Sequence, residues 1–353
     1  YSLGLMSGTS MDGIDASIIY SNGVDILEVL QNKYLKYDDK FINKLSDLKN
    51  KINTSSDLKL YLSELNNLER ELTILHAKFA GEILKDFEKD VDLVGFHGQT
   101  IYHNPDEKIS KQLGDGKLLS QLIKKKIVFN FRKNDIENNG NGAPLAPIYH
   151  SAITKKINKK NIIYLNIGGI TNETFIDKNF NISAKDLGPG NCLIDLWIRQ
   201  NTKKKYDRDG NIAKSGKISK ILLDQSLDIY FNNKISQKRS YDINDFDISF
   251  FRGLALEDGA ATIVEFTTEI IAHKLSSKDI ICCGGGRKNK YLIERLEKKI
   301  NKKILNIDEF QIDGDFIESQ AFAFLAIRSF LNLPISFPTT TGCNKDSTGG
   351  EII

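Results

Sequence analysis

Residues 3–19 set the pattern for the chain: an apolar run, a polar break at Ser7, Gly8, Thr9, Ser10, Asp12 and Gly13, and a second apolar run from Ile14 to Ile19. This reads as strand, tight turn, strand. Glycines and hydroxyls at such a tip bring backbone and side-chain donors close to a ligand without bulk, which suits phosphate. Residues 25–34 predict a third strand. A helix follows, with Leu58, Leu62, Leu65, Leu68, Leu72, Leu75, Phe79 and Ile83 spaced by three and four behind the capping cluster 54–57. Residues 91–96 form a buried-type strand running into His97, Gly98, Gln99 and Thr100, polar residues expected just beyond its carboxyl end, where open α/β sheets bind ligands. A helix is expected near residues 118–125, and a strand at 127–131 that ends in Arg132, Lys133, Asn134 and Asp135.

The second half repeats the opening. Residues 162–174, IIYLNIGGITNET, predict strand, Gly168-Gly169 turn and return strand, with Thr171 just beyond the glycines. Asp186 precedes Gly188-Pro189-Gly190 and an apolar helix over 192–200, with Pro189 suited to the helix start. Helices are expected near 218–231 and 256–275. A strand at 279–283 then ends in Gly284-Gly285-Gly286, with Asn289 before the next helix, a nucleotide-type turn. A strand at 303–307 and a helix at 319–331, led by Glu318, complete the pattern. The Asn/Gly/Pro-rich stretch 138–147 reads as the connection, giving an α/β chain of two domains, 1–137 and 138–353, with the last helix packing back on the first.

At 353 residues the chain is long for one hydrophobic core, which supports two domains. Its 49 basic residues nearly balance 46 acidic ones, and the short lysine runs are scattered, so a solvated surface is expected and no nucleic-acid platform. The four cysteines have no metal-type spacing, and adjacent Cys282 and Cys283 read as small buried residues. No basic leader with an apolar core and no apolar run of spanning length is present, so a cytoplasmic, reduced protein without a membrane partner is expected.

Gly8-Thr9-Ser10-Met11 and His97-Gly98-Gln99-Thr100 superficially look like the serine and histidine motifs of subtilisin-like proteases, but here the serine comes first in the chain and is followed by Asp12-Gly13 and a strand. No Walker A pattern occurs. Two glycine-tipped hairpins, a late glycine turn and an isolated aspartate fit phosphoryl transfer, which needs polyphosphate donors, a magnesium ion and a carboxylate for the acceptor.

Read in order, GLMSGTSMDGIDAS, GFHGQTIYHNP, FNFRKNDI, NGAPLAP, LNIGGITN, DLGPGNCLIDLW, CGGGRKN and GDFIESQAFAFLA resemble the anhydro-N-acetylmuramic acid kinase family. That family belongs to the actin-like, ribonuclease H-like ATPase and sugar-kinase superfamily. The resemblance implies two actin-like domains flanking an ATP and sugar cleft, closing by hinge motion. It also implies a bacterial enzyme of peptidoglycan recycling that opens 1,6-anhydro-N-acetylmuramic acid with water and phosphorylates it from ATP. Carried over by position, Asp186 matches the base that activates water. Gly8, Thr9, Ser10, Met11, Asp12, Gly13, Ile14 and Asp15 match the first ATP loop, Gly168, Gly169 and Thr171 the second, and Gly284, Gly285, Gly286 and Asn289 the adenosine turn. His97, Gln99, Arg132 and Glu318 match the sugar side, with Arg132 expected on the lactyl carboxylate. A homodimer is implied as well. The sequence leaves open whether Asp12 and Asp15 meet magnesium or only shape the turn, and whether Asp186 is a base or a helix cap. A plain hexose or amino-sugar kinase and a non-enzymatic actin-like ATPase are the rival readings. Ser319 departs from the alanine more usual in the family.

Overall fold

The apolar runs of the opening hairpin become β1 (Ser2–Ser7) and β2 (Gly13–Ser21), and β3 (Leu27–Lys36) extends them into an antiparallel meander. The computed structural model describes the whole chain except Thr9, Lys234, Ile235, residues 237–240, Asp242 and Ser277, and the side chain of Asn244. After the meander come α1 (Asp39–Lys51), α2 (Ser55–Leu60), α3 (Leu62–Asp86), β4 (Leu93–Asn104), β5 (Ile109–Leu113), α4 (Gly116–Ile123), β6 (Lys126–Phe129), α5 (Lys133–Glu137) and α6 (Pro147–Lys156).

The next stretch contains β7 (Ile162–Ile167), β8 (Ile170–Ile176), β9 (Ile182–Pro189), α7 (Asn191–Asn201), α8 (Asn211–Ser215), α9 (Lys220–Asn232) and α10 (Leu256–Lys274). It continues with β10 (Asp279–Cys283), α11 (Lys290–Ile300) and β11 (Ile304–Asn306). The chain closes with α12 (Ile317–Phe330), α13 (Pro338–Thr341) and β12 (Glu351–Ile352).

Two compact units result, Tyr1–Asn158 with Phe316–Ile353, and Lys159–Asp315. The stretch 138–147, expected to connect domains, therefore lies inside the first unit, and α12 belongs to that unit too. Among the described residues the first unit holds a seven-stranded sheet in the order β12-β6-β4-β1-β2-β3 with β5 on β4, and the second a five-stranded sheet in the order β11-β10-β7-β8-β9. The two share one plan. An antiparallel meander leads, and its first strand pairs in parallel with a later one: β1 with β4 and then β6, β7 with β10 and then β11.

Local chemistry explains the elements. Thr54 donates from its amide and hydroxyl to Asp57 at the start of α2, and the helix expected to run on from there is interrupted at Tyr61 (φ −101°, ψ 22°) before α3 begins. Along α3, Leu65, Leu68, Leu72, Phe79 and Ile83 are buried in the first core with Leu3, Ile14 and Phe96. Helix α12 lies on β1, β2 and β4. It can do so because residue 4 is glycine: a Cβ there would stand 1.9 Å from the Ser319 carbonyl oxygen and 2.6 Å from the Ala323 amide. Ser319 itself meets Ser17, hydroxyl to hydroxyl at 2.7 Å, so this family departure has a local partner. In the second unit, α10 and α7 share a core of Ile194, Trp197, Ile263 and Ile270 with Leu165 and Ile280 of the sheet. Cys282 and Cys283 are buried free thiols there, and burial pushes the Cys282 thiol well up.

Candidate active site

The first hairpin tip is held from below by side chains. Ser7, fully buried, lies 2.8 Å from Gln99 Oε1, 3.0 Å from the Tyr37 hydroxyl and 3.0 Å from the Gly13 carbonyl. The Gln99 amide nitrogen donates to the Gly8 carbonyl at 3.0 Å. Both ends of Gln99 thus brace the tip, a role that resemblance to a sugar contact did not convey. Above them Met11 adopts φ +53° with its amide on the Gly8 carbonyl, and the Ser10 hydroxyl donates to Asp12 at 2.5 Å. Thr9 lies outside the described residues. Asp12 and Asp15 both act on Tyr34, whose hydroxyl is pushed up to about 12 by burial first and these two carboxylates next. Ile14 is core, and Gly13 begins β2.

Beside the tip, β4 does not stop at Phe96 as expected but continues to Asn104. Its register slips at His97: Leu5 pairs with Phe96 and Met6 with Gly98, so His97 is the extra residue of a bulge. Its Nδ1 meets the Gly98 carbonyl at 2.9 Å, and its Nε2 meets Arg132 Nη2 at 2.9 Å. Arg132, at the start of α5, also donates from Nη1 to the Gly142 carbonyl at 2.7 Å, while Gly142 donates its amide to buried Asp135 at 2.6 Å. Thr341 donates to the other Asp135 oxygen at 2.6 Å. The glycine-rich stretch after β6 is therefore the wall that seats Arg132. Arg132 Nε is shielded from solvent with no partner among the described residues, a donor whose neglect costs about 1–3 kcal/mol. Burial pushes Arg132 down, opposed by Glu318 and Asp135. Glu318 sits in the first turn of α12 and reaches solvent. Crowding by protein pushes its carboxyl up, and Arg132 pulls it down.

The second unit builds its site from backbone. Gly168 and Gly169 form the two-residue tip between β7 and β8, and the start of α7 closes on it: Gly190 and Cys192 donate their amides to the Gly169 carbonyl, and Asn191 to Gly168. A Cβ on Gly190 would lie 2.3 Å from the Gly168 oxygen, so only glycine fits. Thr171 is buried and donates to the Pro189 carbonyl, while Asn289 accepts from Leu292 as the cap of α11. Both predicted ligand residues are thus used within the fold. Pro189 ends β9 and does not open the helix, and α7 starts at Asn191, one residue before the expected 192.

Asp186 lies on β9 opposite Asn172, and its Oδ2 accepts the Tyr241 amide at 2.9 Å. The Tyr241 hydroxyl is in turn held by Lys274 at 2.6 Å. Asp186 is thus part of a strand, not a cap on α7. Arg287, buried behind the triple-glycine turn, donates to the Gly284 carbonyl at 3.2 Å and to Asp315 at 2.8 Å. Sequence reasoning gave no role to Arg287, Tyr37 or Asp135, although Asp135 was noted among the charged residues that follow a buried strand end.

The turns fit a polyphosphate. A Cβ on Gly8 would meet nothing nearer than Ser10 Oγ at 3.8 Å, and one on Gly285 nothing nearer than Asn191 Nδ2 at 4.0 Å, so both backbones lie open to a ligand. Among the described residues no group of three His, Cys, Asp or Glu side chains could hold a metal, and no helix is long and apolar enough to cross a membrane.

Two α/β units built on one sheet plan, each led by a glycine-tipped hairpin, form the duplicated fold expected of the actin-like, ribonuclease H-like class. Within that class the match is specific. The family model for anhydro-N-acetylmuramic acid kinase matches residues 1–353, and the chain belongs to this family. It is 50% identical over 367 residues to the anhydro-N-acetylmuramic acid kinase of Pelagibacter ubique (strain HTCC1062), covering all of this chain and 98% of that protein. Identity to the kinase of the same name from Rhizobium johnstonii is 37% over 364 residues, covering 99% of this chain and 97% of that one. Among solved structures, the chain aligns with the (R)-2-hydroxyglutaryl-CoA dehydratase component A of Acidaminococcus fermentans at TM-score 0.46 and 13% identity, over 93% of this chain and 97% of that one.

Proposed function

We propose that this protein is an ATP-dependent kinase that opens 1,6-anhydro-N-acetylmuramic acid with water and phosphorylates it, giving N-acetylmuramic acid 6-phosphate and ADP in cell-wall recycling. The observation that carries the reading is the family match along the whole chain, borne by a duplicated sheet plan with an open glycine turn in each unit.

Asp186 takes a proton from water, whose oxygen forms the new bond to the anomeric carbon. The bond from that carbon to the bridging oxygen breaks, and this oxygen, which keeps its bond to C6, forms its bond to the terminal phosphorus as the bond from that phosphorus to ADP breaks. Because the leaving oxygen is captured by phosphorus, one base suffices and no strong acid has to protonate it. The amide of Tyr241 keeps Asp186 oriented. Backbone amides of the tips at Gly8 and at Gly168-Gly169, with the turn at Gly284-Gly286, grip the nucleotide. Arg132 holds the lactyl carboxylate, and Glu318 addresses sugar hydroxyls or the attacking water. A magnesium ion, when bound with the nucleotide, neutralises developing phosphate charge. Asp12 and Asp15 are the carboxylates at the first tip that would hold it, directly or through its waters.

The enzyme works as a homodimer in the cytoplasm. The test is ADP release as a function of added sugar. Turnover with the anhydro sugar supports the reading. Turnover with glucose or N-acetylglucosamine and none with the anhydro sugar indicates an ordinary sugar kinase, and nucleotide-driven polymer without sugar-dependent ADP release an actin-like ATPase.

A further inference from the structure

His97 matches a sugar-side position in the family, yet both of its nitrogens are already engaged by the protein. An arginine can only donate, so Arg132 Nη2, 2.9 Å away, requires a lone pair on His97 Nε2. The proton must then sit on Nδ1, which faces the Gly98 carbonyl at 2.9 Å, an acceptor. One neutral tautomer satisfies both contacts. An imidazolium would turn an N–H against the guanidinium. The ring is fixed as well: it is the bulged residue of β4, is 6% exposed, and packs at a tilt of 38° against Phe322 with centroids 4.4 Å apart.

We propose that His97 is a positioning residue, a permanently neutral acceptor that aims the Arg132 guanidinium and neither touches the sugar nor transfers a proton. With Gly142 holding Nη1 and His97 holding Nη2, the guanidinium is pinned at two corners, which removes rotamer freedom before an anion arrives. The charged and titratable groups around the pair are Arg132 at the start of α5 and Asp135 on it, Glu318 on α12, His103 on β4, and His76 on α3, whose own ring is buried against Phe96. Only His97 accepts from Arg132 Nη2 among the described residues. This inference rests on the reading of Arg132 as the ligand of a substrate carboxylate.

Two measurements test it. In full-length protein with nitrogen-labelled histidine, magnetic resonance is expected to show His97 as the Nδ1–H tautomer, unchanged between about pH 5.5 and 8. Detection of the Nε2–H tautomer or of a titration in that range overturns the proposal whatever the substrate proves to be. In kinetics, His97→Ala is expected to raise KM for the anhydro sugar roughly tenfold to a hundredfold, with kcat within about threefold of wild type. His97→Gln, which keeps an acceptor, is expected to recover part of that loss. A variant with normal KM and a collapsed kcat would assign His97 to the chemistry and contradict positioning. If the tautomer is as stated but neither wild type nor variant turns over the anhydro sugar, the functional reading has failed and the hydrogen-bond assignment stands.

Discussion

The two hairpin tips are made from the same topology and held in opposite ways. In the first unit, side chains far apart in sequence do the holding: Ser7, Gln99 and Tyr37 form a buried polar cluster under a tip whose own residues carry hydroxyls and a carboxylate. In the second unit, the tip is two glycines and the holding is done by backbone amides at the start of α7. The first unit thus depends on particular functional groups, the second on the absence of a Cβ. The candidate reacting carboxylate sits on the backbone-held side, where its position is fixed by a strand and a main-chain amide.

The largest effect is expected at Asp186. Asp186→Asn keeps an oxygen to accept the Tyr241 amide, so the fold and nucleotide binding are retained, while sugar-dependent ADP release falls roughly a hundredfold to ten-thousandfold. Near-normal turnover would remove Asp186 from the base role.

Next comes acid sensitivity, which separates the units. His76, His97, His103 and His150 all lie in the first unit, and each is pushed down, by burial first. For His76 the ring is neutral in the fold, at about 4 against 6.5 when unfolded, so its contribution is complete above pH 6.5 and is lost as pH falls through about 4. The loss for this one group is about 3 kcal/mol. Hydrogen exchange across that range is expected to show the first unit loosening before the second, and His76→Phe is expected to flatten the slope. Simultaneous loosening of both units would contradict the assignment.

Smaller effects test the tips themselves. Gly190→Ala forces a methyl against the Gly168 carbonyl and is expected to destabilise the second unit by about 1–3 kcal/mol while raising KM for ATP. Gln99→Ala leaves Ser7 and the Gly8 carbonyl short of partners. It is expected to cost the first unit about 1–2 kcal/mol in denaturant unfolding, with the second unit unaffected. If Gln99→Ala instead spared stability and raised only KM for the sugar, the side-chain brace would be the wrong account.

Much of this was legible in the chain because glycine clusters between apolar runs mark turns directly. Both hairpins, the triple-glycine turn and the duplicated order could be read from residues 3–19, 162–174 and 279–286. Strand β9 was not, since ISAKDLGP mixes exposed charge with glycine and proline. Helix α1 was passed over although Phe41, Leu45 and Leu48 recur at helical spacing, and the continuation of β4 through His97 depends on a bulge opposite β1 that no local pattern announces. Site residues were named more readily than their duties. Gln99 and Ser7 are 92 positions apart, and Thr171, Asn289 and His97 likewise have hydrogen-bond partners that only the folded chain brings together or orients.

The most direct test of the central claim is mass spectrometry of the product formed from the anhydro sugar and ATP in isotope-labelled water. The account predicts a product heavier by one phosphoryl group and one water, with the label on the anomeric hydroxyl and none in the phosphate. A product carrying phosphate alone, with the anhydro bridge intact, would contradict it.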